Sequence, residues 1–187
     1  MAEERKGGRI MQNVYPDYYP QFRCIADRCR HNCCIGWEID VDEDALAAYR
    51  KVGGEMGARL AGSIASDGDA PHFILGEHER CPFLNERNLC DLILYGGEGM
   101  LCQICTDHPR YRSFFSERTE IGVGLCCEEA ARLILTKTDK TRLLVTGEGT
   151  LDEEETALLT LRERLFAAAQ DREKTIPQRM EDLLTLC

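Results

Sequence analysis

The sequence predicts an α+β fold, mainly α with short β-strands, whose cysteine-rich loops gather around a metal or iron–sulfur centre. Three observations carry that reading. Apolar residues recur at helical spacing in four stretches, near 43–52, 127–137, 152–170 and 177–186. Period-two alternation is confined to short runs such as Trp37 to Asp42. Eleven cysteines are present in 187 residues, most of them between the helical stretches.

Residues 1–12 are charged and glycine-containing, the composition of a frayed terminus. Tyr15, Tyr18, Tyr19 and Phe22 follow, interrupted by Pro16 and Pro20. The prolines block a helix, so this stretch is expected to lie extended over the core. In Trp37–Asp42, three apolar residues alternate with Glu38, Asp40 and Asp42, the pattern of a half-buried strand with an acidic outer face. That face is either simply solvated or set beside a cationic ligand. Asp42 can cap a helix striped by Ala45, Leu46, Tyr49 and Val52, and Gly53-Gly54 is expected to end it. A weaker helix is expected through Met56, Leu60 and Ile64, followed by a turn-rich loop at 66–71.

Cys81-Pro82-Phe83-Leu84 and Leu89-Cys90 flank residues 85–88, which suggests a short hairpin or a tight loop. The glycines at 96–99 lack the residues of a phosphate loop and read as a turn. His108 can ligate a metal or serve as an ordinary hydrogen-bonding or surface histidine. Glu120–Leu125 is strand-like, with Ile121, Val123 and Leu125 on one face, and Cys126-Cys127 opens a helix. Asp152 and Glu155 form a capping box before a helix whose apolar face is Leu158, Leu161, Leu165 and Phe166. Pro177 begins a last helix carrying Met180, Leu183 and Leu184. The domain expectation is a cysteine-rich metal domain over 13–145 and a C-terminal helical segment over 150–187.

The densest chemistry lies at Cys24, Cys29, Cys33 and Cys34, among Arg23, Arg28, Arg30 and His31. Thiolates are soft ligands for zinc and for iron–sulfur clusters, and neighbouring cations favour the thiolate form. Disulfides are the rival use. The N-terminus lacks the apolar core of a signal peptide and no stretch is apolar enough to span a bilayer. The chain therefore reads as cytoplasmic, where thiols stay reduced and metal binding is favoured. A net charge of −10 argues against a nucleic-acid footprint and tolerates a cationic partner.

The segments 22–42, 81–84, 89–90, 105–110 and 126–135 resemble, in order and approximate spacing, the flagellin lysine-N-methylase (FliB) family. More distantly they resemble the small C-x-x-C-x-x-C-C zinc- or iron-chelating proteins. The resemblance covers about residues 15–136 and places the family's pattern on Cys24, Cys29, Cys33, Cys34, Cys81, Cys90, Cys105 and Cys127. Cys102 and Cys126 stand beside that pattern, and His108 stands where the family often has tyrosine. It implies a [4Fe–4S] protein that transfers a methyl group from S-adenosylmethionine to flagellin lysines. Family members are usually about twice this length, so relative to them a C-terminal half is either missing here or was never present.

From the residues alone, the metal stays open. Cys29/Cys33 and Cys102/Cys105 could be the two knuckles of a structural zinc site, while an iron–sulfur cluster accepts irregular spacing. The eight cysteines of the pattern that the resemblance implies exceed one four-ligand site, so either there are two centres or several of them only pack around one. Cys29 to Cys34 lacks the C-x-x-x-C-x-x-C spacing of radical enzymes. Asp40, Asp42 and Asp107 are available acids for an amine-deprotonating role. The clusters at 24–34 and 81–105 are expected to meet in space, with Cys127 nearby.

Overall fold

A computed structural model describes residues 5–6, 9–30, 32–68 and 70–187. Four short strands and two helices come first on either side of the first cysteine cluster: β1 (Arg5–Lys6), β2 (Arg9–Ile10), β3 (Gln12–Pro16), α1 (Glu43–Tyr49), α2 (Gly54–Gly62) and β4 (Ile64–Ala65). Then follow β5 (His72–Phe73), α3 (Asp91–Gly96), α4 (Gln103–Asp107), β6 (Arg110–Phe114) and β7 (Arg118–Val123). The chain continues through α5 (Glu128–Leu135), β8 (Leu143–Thr146), α6 (Glu153–Ala169) and α7 (Ile176–Leu186). Among the described residues this is α+β, with seven α-helices and three small sheets.

Two compact units interleave along the chain. One comprises 1–21, 112–123 and 133–187; the other comprises 22–111 and 124–132. The sequence expectation instead cuts the chain once, between 145 and 150.

The first unit is built on a four-stranded sheet of order β6-β7-β3-β8. β3 runs parallel to β7, with Val14 opposite Glu120, and antiparallel to β8, with Val14 opposite Val145. Of the aromatic lead-in, only Tyr15 lies in a strand, an inner one; Tyr18 lies in a turn and Tyr19 opens a short 3₁₀ helix (Tyr19–Gln21), so the segment is not the extended strap expected. Val14 and Tyr15 are buried, and Pro16 sits at the strand end. In β7, Thr119 and Val123 are buried, whereas Leu125 lies beyond the strand and is exposed.

Asp152 and Glu155 make the capping box of α6: Glu155 N–H donates to Asp152 at 2.8 Å and Asp152 N–H to Glu155 at 3.2 Å. Glu155 also accepts from the Ser116 N–H and hydroxyl, both at 2.7 Å. Leu159 is the buried residue of this helix; Leu158, Leu161 and Phe166 are exposed, against expectation. The inward stripe is Glu155, Leu159 and Arg162, spaced i, i+4, i+7. Arg162 forms a two-pronged ion pair with Glu120, and Arg118 reaches the same carboxylate at 2.5 Å. Two polar anchors thus orient α6, and counting apolar residues could not reveal them. α7 starts with a Thr175–Gln178 capping box and Pro177, and Met180 and Leu184 face solvent. No described helix is long and apolar enough to cross a membrane.

The second unit packs around Ile39, Val41, Tyr49, Leu60, Phe73 and Phe83. Phe73 and Phe83 meet at a ring separation of 5.0 Å. Trp37–Asp42 is not a strand. It is extended backbone held by Phe73 N–H to Ile39 O at 3.0 Å and Val41 N–H to Pro71 O at 2.7 Å, with one bridge from Asp40 to His72. The burial alternation still holds, because Ile39 and Val41 are buried while Glu38 and Asp40 are exposed. α1 ends at Tyr49, and Gly53 caps the start of α2 rather than the end of α1. Gly57 in α2 faces the Val52 carbonyl so closely that a Cβ would fall 2.1 Å from its oxygen. Ile64 leaves the predicted helix and pairs in β4 with Phe73 of β5. The tight loop at 85–88 is present, closed by Asn85 N–H to Leu89 O at 3.0 Å.

Asp42 links two helices of this unit. One oxygen caps α1 through Ala45 N–H at 3.0 Å, and the other accepts the Gln103 N–H at 2.7 Å. The Gln103 bond, with the cap, holds its carboxyl below the usual range. Asp42→Ala is expected to cost about 1–2 kcal/mol in chemical denaturation at neutral pH. Because the folded pKa is depressed, this stabilisation is present above the unfolded carboxylate pKa. It is lost as pH falls through the folded value, so wild type and variant should converge in acid. Glu120→Gln leaves Arg118 and Arg162 without their carboxylate. A loss on the order of 3 kcal/mol is expected, read as a lower denaturation midpoint.

Candidate thiolate centre

All eight cysteines singled out from the sequence lie in the second unit. Cys34, Cys81, Cys90 and Cys105 border its hydrophobic core, with Cys81 buried and the other three half-buried. Two backbone features bring them there. Cys81 N–H donates to Cys34 O at 2.9 Å, and Leu84 bridges Cys90 across the tight loop. The two cysteine clusters therefore meet.

Cys102, outside the family pattern, is fully buried in the same core. It precedes α4, and its sulfur lies 3.3 Å from the Tyr49 hydroxyl, which also donates to Met100 O at 2.7 Å. Its C-x-x-C spacing with Cys105 is the sequence signal for this role. A hydrogen bond from the Cys105 thiol pulls Cys102 toward thiolate and pushes Cys105 the other way. Burial raises the Cys81 thiol.

Cys24, Cys29 and Cys127 form a second gathering outside that core cluster. The backbone N–H of Arg30 donates to Glu128 at 2.7 Å, tying the first cysteine loop to the residues beside Cys127. Cys29 is pushed up to about 11, first by burial and then by the neighbouring Cys127 and Cys24 sulfurs. Cys33 stands between the two gatherings. The Cys34 thiol hydrogen-bonds it and lowers it to about 6, while Cys34 is raised in turn. The thiolate is thus stabilised by an adjacent S–H. Arg30, expected to favour thiolates, faces Glu128 at 3.9 Å. His31 lies outside the described residues. Cys126 and Cys187 are exposed.

Among the described residues, no three His, Cys, Asp or Glu side chains are grouped so as to hold a metal ion. The Zn–S distance is about 2.3 Å, so a single ion requires a closer grouping. The donor chemistry nevertheless suits a soft-metal centre: five thiols border one core, and buried thiols need a cation before they can all ionise. His108 closes the C-terminal end of α4, its ring 5.6 Å from that of Trp37. Its Nε2 is buried and has no hydrogen-bond partner among the described residues, and burial lowers its pKa. The Trp37 indole donates to Cys33 O at 2.6 Å.

The same unit carries an open cleft of about 360 Å³, lined by Glu38, Asp67, His72 and the Ala65 and Phe73–Leu75 segments. Of the three candidate acids, Asp42 has both oxygens committed to backbone donors, and Asp107 accepts from Gln103 at 2.8 Å. Asp40 is exposed.

No family model matches the chain, and no solved structure matches it. Curated relatives do. The chain is similar to the lysine-N-methylases of Salmonella typhimurium strain LT2 and Salmonella choleraesuis strain SC-B67. Each is 28% identical over 138 residues, covering 66% of this chain and 32% of the relative. It is also similar to the flagellar biosynthetic protein FliU of Salmonella muenchen, 26% identical over 136 residues, covering 66% of this chain and 77% of the relative. The match thus spans about a third of the length of the lysine-N-methylases. These similarities support a relationship to the lysine-N-methylase family.

Without metal, Cys33 is expected to be alkylated fastest, with a pH midpoint near 6 in mass-mapped iodoacetamide labelling. Cys34→Ser replaces the thiol donor with a hydroxyl, whereas Cys34→Ala removes it and should move that midpoint up. An unchanged midpoint in Cys34→Ala would contradict the Cys34 donor.

Proposed function

We propose that this chain is the thiolate-rich part of a protein lysine N-methyltransferase that uses S-adenosylmethionine and acts on flagellin. Its centre is a [4Fe–4S] cluster, with zinc as the alternative metal. The similarity to lysine-N-methylase across 66% of the chain carries this reading. The convergence of the thiols in one unit supports it.

In such a transfer the lysine Nζ attacks the sulfonium methyl carbon. An N–C bond forms as the S–C bond breaks, and S-adenosylhomocysteine leaves. The amine must first lose a proton, and the two reactants must be held in line. Asp42 is committed to two backbone donors, which leaves Asp40 as the more accessible carboxylate. The open cleft beside Glu38 and Asp67 suits the cationic end of a lysine, because two carboxylates flank it and Phe73 supplies apolar surface for the stem. Cys34, Cys81, Cys90 and Cys105 would hold a centre in the core, and Cys24, Cys29, Cys33 and Cys127 would supply the remaining sulfurs. Such a centre supplies structural closure of the loops and a local positive charge balanced by thiolates.

The test compares this chain with a longer form carrying the remainder of the lysine-N-methylase length. Anaerobic preparation should give a brown protein containing iron and acid-labile sulfide. Cys29→Ser, Cys33→Ser or Cys34→Ser should lose metal and cooperative unfolding together, whereas Cys126→Ser or Cys187→Ser should keep both. In the longer form the first group should also abolish transfer of labelled methyl groups to flagellin lysines. Full metal loading in all three variants would reject the site. Metal binding without measurable S-adenosylmethionine binding in either form would make the chain a non-catalytic metal-binding module.

A further inference from the structure

We infer that His72, with Asp67 as its partner, is the proton acceptor for a lysine ammonium in the open cleft of the second unit. The inference rests on the methylase reading above and names the base that the transfer needs.

The cleft lies on the outer face of three extended segments. Ala65 of β4 pairs with His72 of β5, and His72 bridges Asp40 on its other side. Val41 N–H to Pro71 O and Phe73 N–H to Ile39 O flank the Asp40–His72 pair. That makes it a non-hydrogen-bonded pair, the kind whose side chains stand closer. Directly opposed residues share a face, and so do alternate residues along each segment. Ile39 and Phe73 are buried on the inner face. His72 therefore stands in the middle of the outer face, and Glu38, Ala65, Asp67 and Ile74 line the cleft with it.

The ring's surroundings set its chemistry. Nδ1 lies 3.1 Å from Ala70 O. A carbonyl only accepts, so Nδ1 carries the proton and Nε2 of the neutral ring carries the lone pair. Nε2 faces Asp67 Oδ1 at 3.8 Å, beyond hydrogen-bond distance. Two acceptors thus face each other across a gap, and one ammonium about 2.9 Å from each can bridge it. Ile74 is exposed beside them and offers apolar surface to the lysine stem. A carboxylate facing an ammonium keeps it charged, whereas a neutral imidazole can take its proton. The proton passes from Nζ to Nε2. Nζ retains the electron pair that forms the N–C bond, and the imidazolium is held by Ala70 O and the Asp67 carboxylate. The ring is partly exposed, so the proton leaves to water between turnovers.

The full chain is made with ¹⁵N-labelled histidine, and nuclear magnetic resonance reads the tautomer of His72. The Nδ1–H form is expected. Titration with N-acetyl-lysine methylamide should move the His72 Nε2 signal saturably, and the norleucine analogue, which lacks the amine, should not. Asp67→Asn should weaken the lysine response severalfold. In the longer form, His72→Gln should lower kcat for methyl transfer to flagellin lysines about a hundredfold or more, with KM little changed. An Nε2–H tautomer, or an equal response to the norleucine analogue, overturns the inference, and both are read in the wild type even if a variant fails to fold. Methyl transfer by the longer wild type that His72→Gln leaves unchanged overturns it and leaves the methylase reading intact. No transfer by the longer wild type overturns both.

Discussion

The hydrogen bond from Cys81 N–H to the Cys34 carbonyl sets the register in which two distant cysteine segments meet. The thiol arrangement depends on it. Once that junction is made, Phe83 and Leu84 enter the core, the tight loop returns Cys90 to Leu84, and α3 begins. Asp42 supplies a second fixed point by joining the starts of α1 and α4, which places Cys102 and Cys105. The core-bordering thiols are therefore positioned by backbone bonds and one carboxylate.

Burial gives the thiols their character. Low polarity disfavours isolated thiolates, so the sulfurs share protons in pairs, Cys33 with Cys34 and Cys102 with Cys105. In each pair one sulfur moves toward thiolate because the other donates. A metal would replace that shared proton as the source of positive charge. The Tyr49 hydroxyl, whose proton lies on Met100 O, is a neutral polar neighbour 3.3 Å from the Cys102 sulfur.

The other unit relies on a different economy. Its sheet places β3 between β7 and β8, and α6 docks through Glu155, Leu159 and Arg162. Hydrogen bonds to Ser116 and a forked ion pair to Glu120 fix the helix rotation. Leu158, Leu161 and Phe166 are consequently left outside. An apolar stripe predicts the buried face only when burial is the strongest term, and here directional charge-assisted bonds decide.

Local signals determined the starts of α1, α6 and α7, whereas α3 and α4 lay unread in what the sequence presents as cysteine loops. The Asp42 cap, the Asp152–Glu155 box and Pro177 each work through neighbours within four residues, so the chain alone reveals them. The resemblance of the cysteine segments likewise agreed with the relatives found. Tertiary structure decided whatever required a distant partner. β3 became an inner strand because β7 and β8 flank it, and the Trp37–Asp42 segment stayed extended backbone without becoming a strand. It also separated the sulfurs into a core-bordering set with Cys102 and an outer set with Cys24, Cys29 and Cys127. Spacing along a chain fixes which residues can share a helix face; which loops then close on one another depends on long-range hydrogen bonds and burial, and sequence period carries no record of those.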